Sequence, residues 1–215
     1  MTSYSDSCSP FSDASRISLK EIQPLAAGLD RWVFSHPNDP ALIIKVHRLD
    51  RLDGQPWHKR LRNSLQRLGH WNRHMHEIQE FIAINQHCGG TPSWLKKLHG
   101  FIETDLGLGL VYEAERLPDG SLAPTLEFLV RENLVNEQLI RALKVFWNQL
   151  LESSLIVGDL NLGNLVYAND RIALIDGIGD HHAIPLRSWF PALNRRSKIK
   201  QWRRMTTHLP ALAAL

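Results

Sequence analysis

At 215 residues, with 43% hydrophobic and 22% charged side chains, the chain has a globular composition and is too short for several full domains. A net charge of only +3 does not mark a nucleic-acid binder, and Cys8 and Cys88 alone cannot build a disulfide framework, so a reducing, cytoplasmic setting is expected. No apolar run approaches the roughly 20 residues needed to cross a bilayer.

Met1 to Ser15 is rich in Ser and Asp, has neither a basic start nor an apolar centre, and reads as a loose tail. Leu19 to Leu25 and Arg31 to Ser35 then read as two strands around a bend at Ala26-Ala27-Gly28. The turn formers of His36 to Pro40 lead into Ala41-Leu-Ile-Ile-Lys45-Val46, whose branched residues favour a third strand with a lone lysine near its end. From Arg60 onward, Leu61, Leu65, Leu68, Trp71, Met75, Ile78 and Ile82 recur at spacings of three and four, the stripe of a helix that Gly89-Gly90 ends. On that helix Glu77 flanks the stripe and can turn inward, whereas Glu80 falls nearly opposite to it. Leu98 to Glu103 and Leu108 to Glu113 complete five expected strands. After the Pro118-Asp119-Gly120 turn, Asn136 caps a helix buried along Ile140, Leu143, Trp147, Leu150 and Leu151.

Residues 156–180 carry the densest chemistry: two short apolar strands joined at Asn169-Asp170, with acidic and amide groups at the open end. A tight turn there places Ile175 opposite Asn164, so Asp176 emerges beside Asn164 although twelve residues separate them. One carboxylate and one amide oxygen suit Mg²⁺, which is commonly held by one or two protein ligands together with phosphates and water. Asp159, five residues before Asn164, can face the same centre without ligating it.

Asp159-Leu-Asn-Leu-Gly-Asn164 followed by Asp176-Gly177 resembles the catalytic loop and metal-binding turn of the protein-kinase-like superfamily, and Gly158-Asp-Leu-x-x-Gly-Asn is nearest its small-molecule kinases. The resemblance implies an α+β, bilobal fold. Its N-terminal lobe, residues 19–117, would hold a five-stranded antiparallel sheet plus one helix, and residues 118–215 a reduced helical C-lobe ending in a basic helix, with residues 1–18 as a disordered tail. It implies ATP and Mg²⁺ as cofactors, Asp159 as the group that positions or deprotonates an acceptor hydroxyl with Asn161 assisting, and Asn164 and Asp176 as metal ligands. It further implies Lys45 on the nucleotide phosphates, steadied by Glu77, with Gly28 as the remnant of a glycine-rich loop. Val157-Gly158 stands where protein kinases carry His-Arg, and Ile178 follows Asp176-Gly177 where the Phe of Asp-Phe-Gly is missing. About 35 residues after Asp180 leave little room for docking a protein substrate, so a small-molecule acceptor is favoured.

More narrowly, Pro24-Leu25 with Gly28, His36-Pro37 through Lys45-Val46, Gly107-Leu-Gly109 with Glu113, and Arg195-Arg196 resemble the bacterial PhoP-regulatory-network YrbL family over residues 19 to 205. The name implies control by a magnesium-responsive regulator and a regulatory protein partner, without naming a reaction. The thin glycine loop and missing Phe keep a second reading open, a pseudokinase that senses nucleotide or binds protein. A third reading takes Arg195, Arg196, Lys198, Lys200, Arg203 and Arg204, interleaved with Trp189, Phe190 and Trp202, as a nucleic-acid surface; an amphipathic helix with its Trp docked and its cations solvated is preferred. His70 and His74 are one helical turn apart but lack further ligands, and His181 and His182 read as loop residues.

Overall fold

The computed structural model describes residues 16–28, 31–48, 71–180 and 186–207. The tail expected over residues 1–15, the helix expected to begin at Arg60, as far as His70, and the loop residues His181 and His182 lie outside the described residues. The chain divides into two compact units, Met1–Gly54 with His99–Tyr112, and Gln55–Leu98 with Glu113–Leu215.

The first unit is built on the expected five-stranded antiparallel sheet, β1 Ala26–Ala27, β2 Arg31–His36, β3 Asp39–His47, β4 Leu98–Thr104 and β5 Gly107–Glu113, in the order β1-β2-β3-β5-β4. Alternation along β2 and β3 sets Phe34 opposite Ile44 and Trp32 opposite Val46, and these pack with Leu19 into one apolar cluster. Lys45 pairs with Val33 and therefore belongs to the other face of β3. Gly109 allows β5 to approach β3, since a Cβ there would lie 2.7 Å from Ile44 Cγ2.

The first strand differs from expectation. Leu19 to Leu25 is not a strand, and only Ala26 and Ala27 pair with β2. The Leu19 and Lys20 amides donate to the Asp105 carboxylate at 2.7 and 3.3 Å, while Leu19 is fully buried. Donors committed to a carboxylate are unavailable to a ladder.

In the second unit, α1 Asn72–Cys88 ends at Gly89 in the left-handed conformation, as Gly89-Gly90 predicts. Its buried face is His74, Glu77, Phe81 and Ile84, with Ile82 exposed. The expected stripe is thus displaced, and Glu77 lies at the centre of the buried face. Helix α2 Leu126–Arg131 is capped by Thr125, and α3 Glu137–Glu152 by Asn136, whose Oδ1 accepts from the Leu139 amide at 2.8 Å. Leu143, Phe146, Trp147 and Leu150 bury one side of α3. Strands β6 Leu165–Ala168 and β7 Arg171–Leu174 pair antiparallel through Asn169 and Asp170, both at positive φ as a two-residue hairpin turn requires. The short α4 Leu186–Trp189 leads to α5 Pro191–Thr206, where Trp202 stacks on Trp147 at 4.4 Å. Among the described residues no helix is long and apolar enough to cross a membrane.

Candidate functional site

The hairpin register of β6 and β7 brings the chemistry together. The Ile175 amide donates to the Asn164 carbonyl at 2.9 Å, the pairing expected from the sequence, so Asp176 follows directly beside Asn164. Upstream, the Gly158 and Asp159 amides both donate to the Gly177 carbonyl, at 2.7 and 3.1 Å, and the Gly179 amide donates to the Ile156 carbonyl at 2.9 Å. The loop carrying Asp159 and the turn carrying Asp176 are therefore fastened backbone to backbone.

Side chains complete the arrangement. Asn161 opens the 3-10 helix Leu162–Asn164 by accepting from the Asn164 amide at 3.1 Å, and its Nδ2 donates to Asp159 Oδ2 at 2.8 Å. Asn164 Nδ2 donates to the Asp159 carbonyl at 2.8 Å, which leaves Oδ1 as the amide atom able to meet a cation. Asp176 Oδ1 accepts from the Gly177 amide at 2.8 Å. Asp159, Asn161, Asn164 and Asp176 thus form one constellation in the second unit. Its donor set fits Mg²⁺: two hard oxygen ligands, Asn164 Oδ1 and the Asp176 carboxylate, with the remaining positions left to water and phosphate. Among the described residues there is no group of three or more His, Cys, Asp or Glu placed to hold a metal ion.

Gly177 is what the constellation cannot exchange. At φ 80° it sits where L side chains are strained, and a Cβ would fall 2.2 Å from the Asp159 carbonyl oxygen and 2.7 Å from Asn164 Nδ2.

The polar side of α5 holds this loop from behind. Asn194 donates to the Ser154 and Leu155 carbonyls, Lys198 to the Leu150 and Ser153 carbonyls, and Gln201 to the Val157 carbonyl, while Gln201 Oε1 accepts from the Leu160 amide at 2.7 Å. One turn further, the Arg204 guanidinium lies 3.5 Å from Asp159 Oδ1. Arg187 joins Asp180 through two hydrogen bonds, at 2.6 and 3.2 Å, and donates to the Val157 carbonyl at 2.9 Å. Lys198, expected among the solvated cations, is 1% exposed and caps the end of α3. The sequence did carry a signal for this clamp, polar residues at 194, 198 and 201, yet helical spacing of polar residues ordinarily marks a solvated face.

The remaining expected residues are placed as follows. Lys45 is 4% exposed, with its ammonium 5.4 Å from the centre of the Tyr112 ring, in the first unit. Gly28 closes the β1–β2 bend by donating from its amide to the Arg31 carbonyl at 2.9 Å. In the second unit Glu77, 1% exposed, forms an ion pair with Lys96, which is equally buried. Lys96 was missed because a single lysine before a strand carries no sequence signal; its amide donates to the Leu174 carbonyl, two residues before Asp176.

Glu80, expected on the outer side of α1, instead accepts from the Ile156 amide at 2.7 Å. Burial pushes its carboxyl up to about 6, opposed by that hydrogen bond and by Lys198 and Arg187, and assisted by Asp180. A folded-state value above the ordinary one favours the neutral acid, so its contribution is full below about pH 4.5 and is lost as pH rises through about 6. Glu80→Gln keeps an acceptor for Ile156 and cannot ionise. It is expected to raise stability at pH 7.5 by up to about 2 kcal/mol and to remove the decline between pH 4.5 and 6, as read by urea melts across that range.

A family model described as PhoP regulatory network protein YrbL matches residues 17–210. The chain belongs to this family. It is 28% identical over 207 residues to the protein YrbL of Escherichia coli, covering 92% of this chain and 89% of that protein, and equally to YrbL of Shigella flexneri. Asp159, Asn161, Asn164, Asp176 and Gly177 all fall within the span the YrbL family model matches.

Proposed function

We propose that this YrbL-family chain is an ATP- and Mg²⁺-dependent phosphotransferase with a reduced protein-kinase-like fold, acting on a small molecule in a PhoP-regulated, magnesium-stress setting. The observation that carries the reading is the hydrogen-bonded union of Asp159, Asn161 and Asn164 with the Asp176-Gly177 turn. Such a union would offer a carboxylate to an acceptor hydroxyl and, a few residues away, two oxygen ligands to a cation on the nucleotide phosphates.

In this reading Asp159 Oδ2, oriented by Asn161, accepts the proton of the acceptor hydroxyl as its oxygen bonds to the γ-phosphorus and the bond from that phosphorus to the ADP oxygen breaks. Asn164, tethered through Nδ2, and Asp176 would hold Mg²⁺ through Oδ1 and the carboxylate. When bound, the cation neutralises charge on the transferred phosphoryl group. Positioning and charge neutralisation are most of what phosphoryl transfer asks of a protein. Lys45 is assigned to the phosphates by the resemblance.

A thermal-shift titration tests it. ATP with Mg²⁺ at 100 times its dissociation constant is expected to stabilise the protein by about 2.7 kcal/mol, and ATP without Mg²⁺ by much less. No shift with either removes the proposal.

A further inference from the structure

We infer that the acceptor is an anion, a hydroxylated small molecule bearing a phosphate or carboxylate that the exposed cations of α5 recognise. This rests on the phosphotransferase reading and adds the chemical class of its substrate.

Helix α5 contains no Asp or Glu, and Arg195, Arg196, Lys200, Arg203 and Arg204 are all exposed on it. Arg196, Lys200 and Arg204 recur every four residues and form one row, spanning about 12 Å along the helix. Like charges at this spacing repel, and no acidic residue of the helix offsets them. Arg196, in the half nearer the helix N-terminus, gains nothing from the helix dipole. The row is therefore a burden on the helix that carries it.

Its position gives it a use. Asn194, Lys198 and Gln201 fix the opposite, buried side of α5 to residues 150–160, so the row cannot drift relative to the loop. Its last member, Arg204, meets the carboxylate proposed to receive the acceptor's proton, at 3.5 Å. An exposed pair of that length adds little to the fold. A molecule whose hydroxyl reaches Asp159 thus brings its neighbouring substituents to Arg204 and Lys200, where an anionic group is attracted and an ammonium is repelled. Arg204 and Lys200 are accordingly specificity residues rather than catalytic ones.

The experiment uses full-length protein with Mg²⁺ and a non-hydrolysable ATP analogue at saturation, so that phosphate probes cannot enter the nucleotide site. Inorganic phosphate, glycerol 3-phosphate, glycerol, glucosamine and a short RNA oligonucleotide are titrated calorimetrically. Saturable binding is expected for glycerol 3-phosphate and not for glycerol or glucosamine, weakened at least tenfold in Lys200→Glu/Arg204→Glu and little changed in Arg195→Glu, a charge reversal off the row. Equal binding of glycerol or glucosamine, equal loss in Arg195→Glu, or preference for the oligonucleotide overturns the inference. If the analogue itself fails to bind, the phosphotransferase reading falls, and the anion titrations are read without it: glycerol 3-phosphate binding that the row variant loses keeps the anion site, and its absence overturns that too.

Discussion

Alanine at Gly177 is expected to destabilise the second unit by at least about 3 kcal/mol, since among the described glycines it is the one where an added Cβ meets the closest atom. Two costs add. The residue sits at φ 80°, where a Cβ strains the backbone, and that Cβ would lie 2.2 Å from the Asp159 carbonyl oxygen. Relief by a side-chain rotation is impossible, because the obstructing atom is backbone. Moving it would break the bonds from the Gly158 and Asp159 amides to the Gly177 carbonyl and the tether from Asn164 to Asp159. For a chain of this size the melting temperature should fall by roughly 6–12 °C. Gly90→Ala, with nothing within 4 Å of its Cβ, is the control and should differ from the parent by under about 0.5 kcal/mol. A loss below about 1 kcal/mol at Gly177 would mean that the loop and the turn are not fastened as described.

Removing the Asp159 carboxylate is expected to have the largest effect on turnover, a loss of roughly 10²- to 10⁴-fold in kcat, with ATP affinity little changed. The fold should survive. Asp159 is half exposed, its side chain contacts Asn161 and Arg204, and its backbone bonds to Gly177 and Asn164 remain in Asp159→Ala. Loss of the exposed pair with Arg204 costs under about 1 kcal/mol, so a kinetic loss is separable from unfolding. Unchanged kcat would remove Asp159 from its role. Wild-type protein that binds ATP without transferring phosphate favours the alternative of a nucleotide-sensing or protein-binding module, which the single glycine of the first bend already suggests.

The candidate constellation was legible because its geometry follows from short-range rules. A two-residue turn at Asn169-Asp170 fixes the register of β6 and β7, and register alone sets Asp176 beside Asn164. The strands were legible from alternation and branched residues, apart from Leu19 to Leu25, where a carboxylate 86 residues away took the amides. Such a partner leaves no local trace. The face of α1 was misjudged for a related reason. Glu77 turns inward from the flank of the stripe as its position allows, but His74 and Glu80 are polar and a count of apolar residues leaves them outside, yet His74 is buried and Glu80 finds a partner that only the fold supplies. Lys198 belongs with them: three hydrogen bonds at the end of α3 account for a lysine that composition would leave in water.

Asn164 Oδ1 and the Asp176 carboxylate are proposed to hold a divalent cation shared with nucleotide phosphates. The most direct test counts Mn²⁺ bound in the presence of ATP, by electron paramagnetic resonance, in wild type and in Asp176→Ala shown to be folded by circular dichroism. One or two Mn²⁺ per chain that depend on ATP and are lost in the variant are expected. No ATP-dependent Mn²⁺ in the wild type, or equal occupancy in Asp176→Ala, would contradict the proposal.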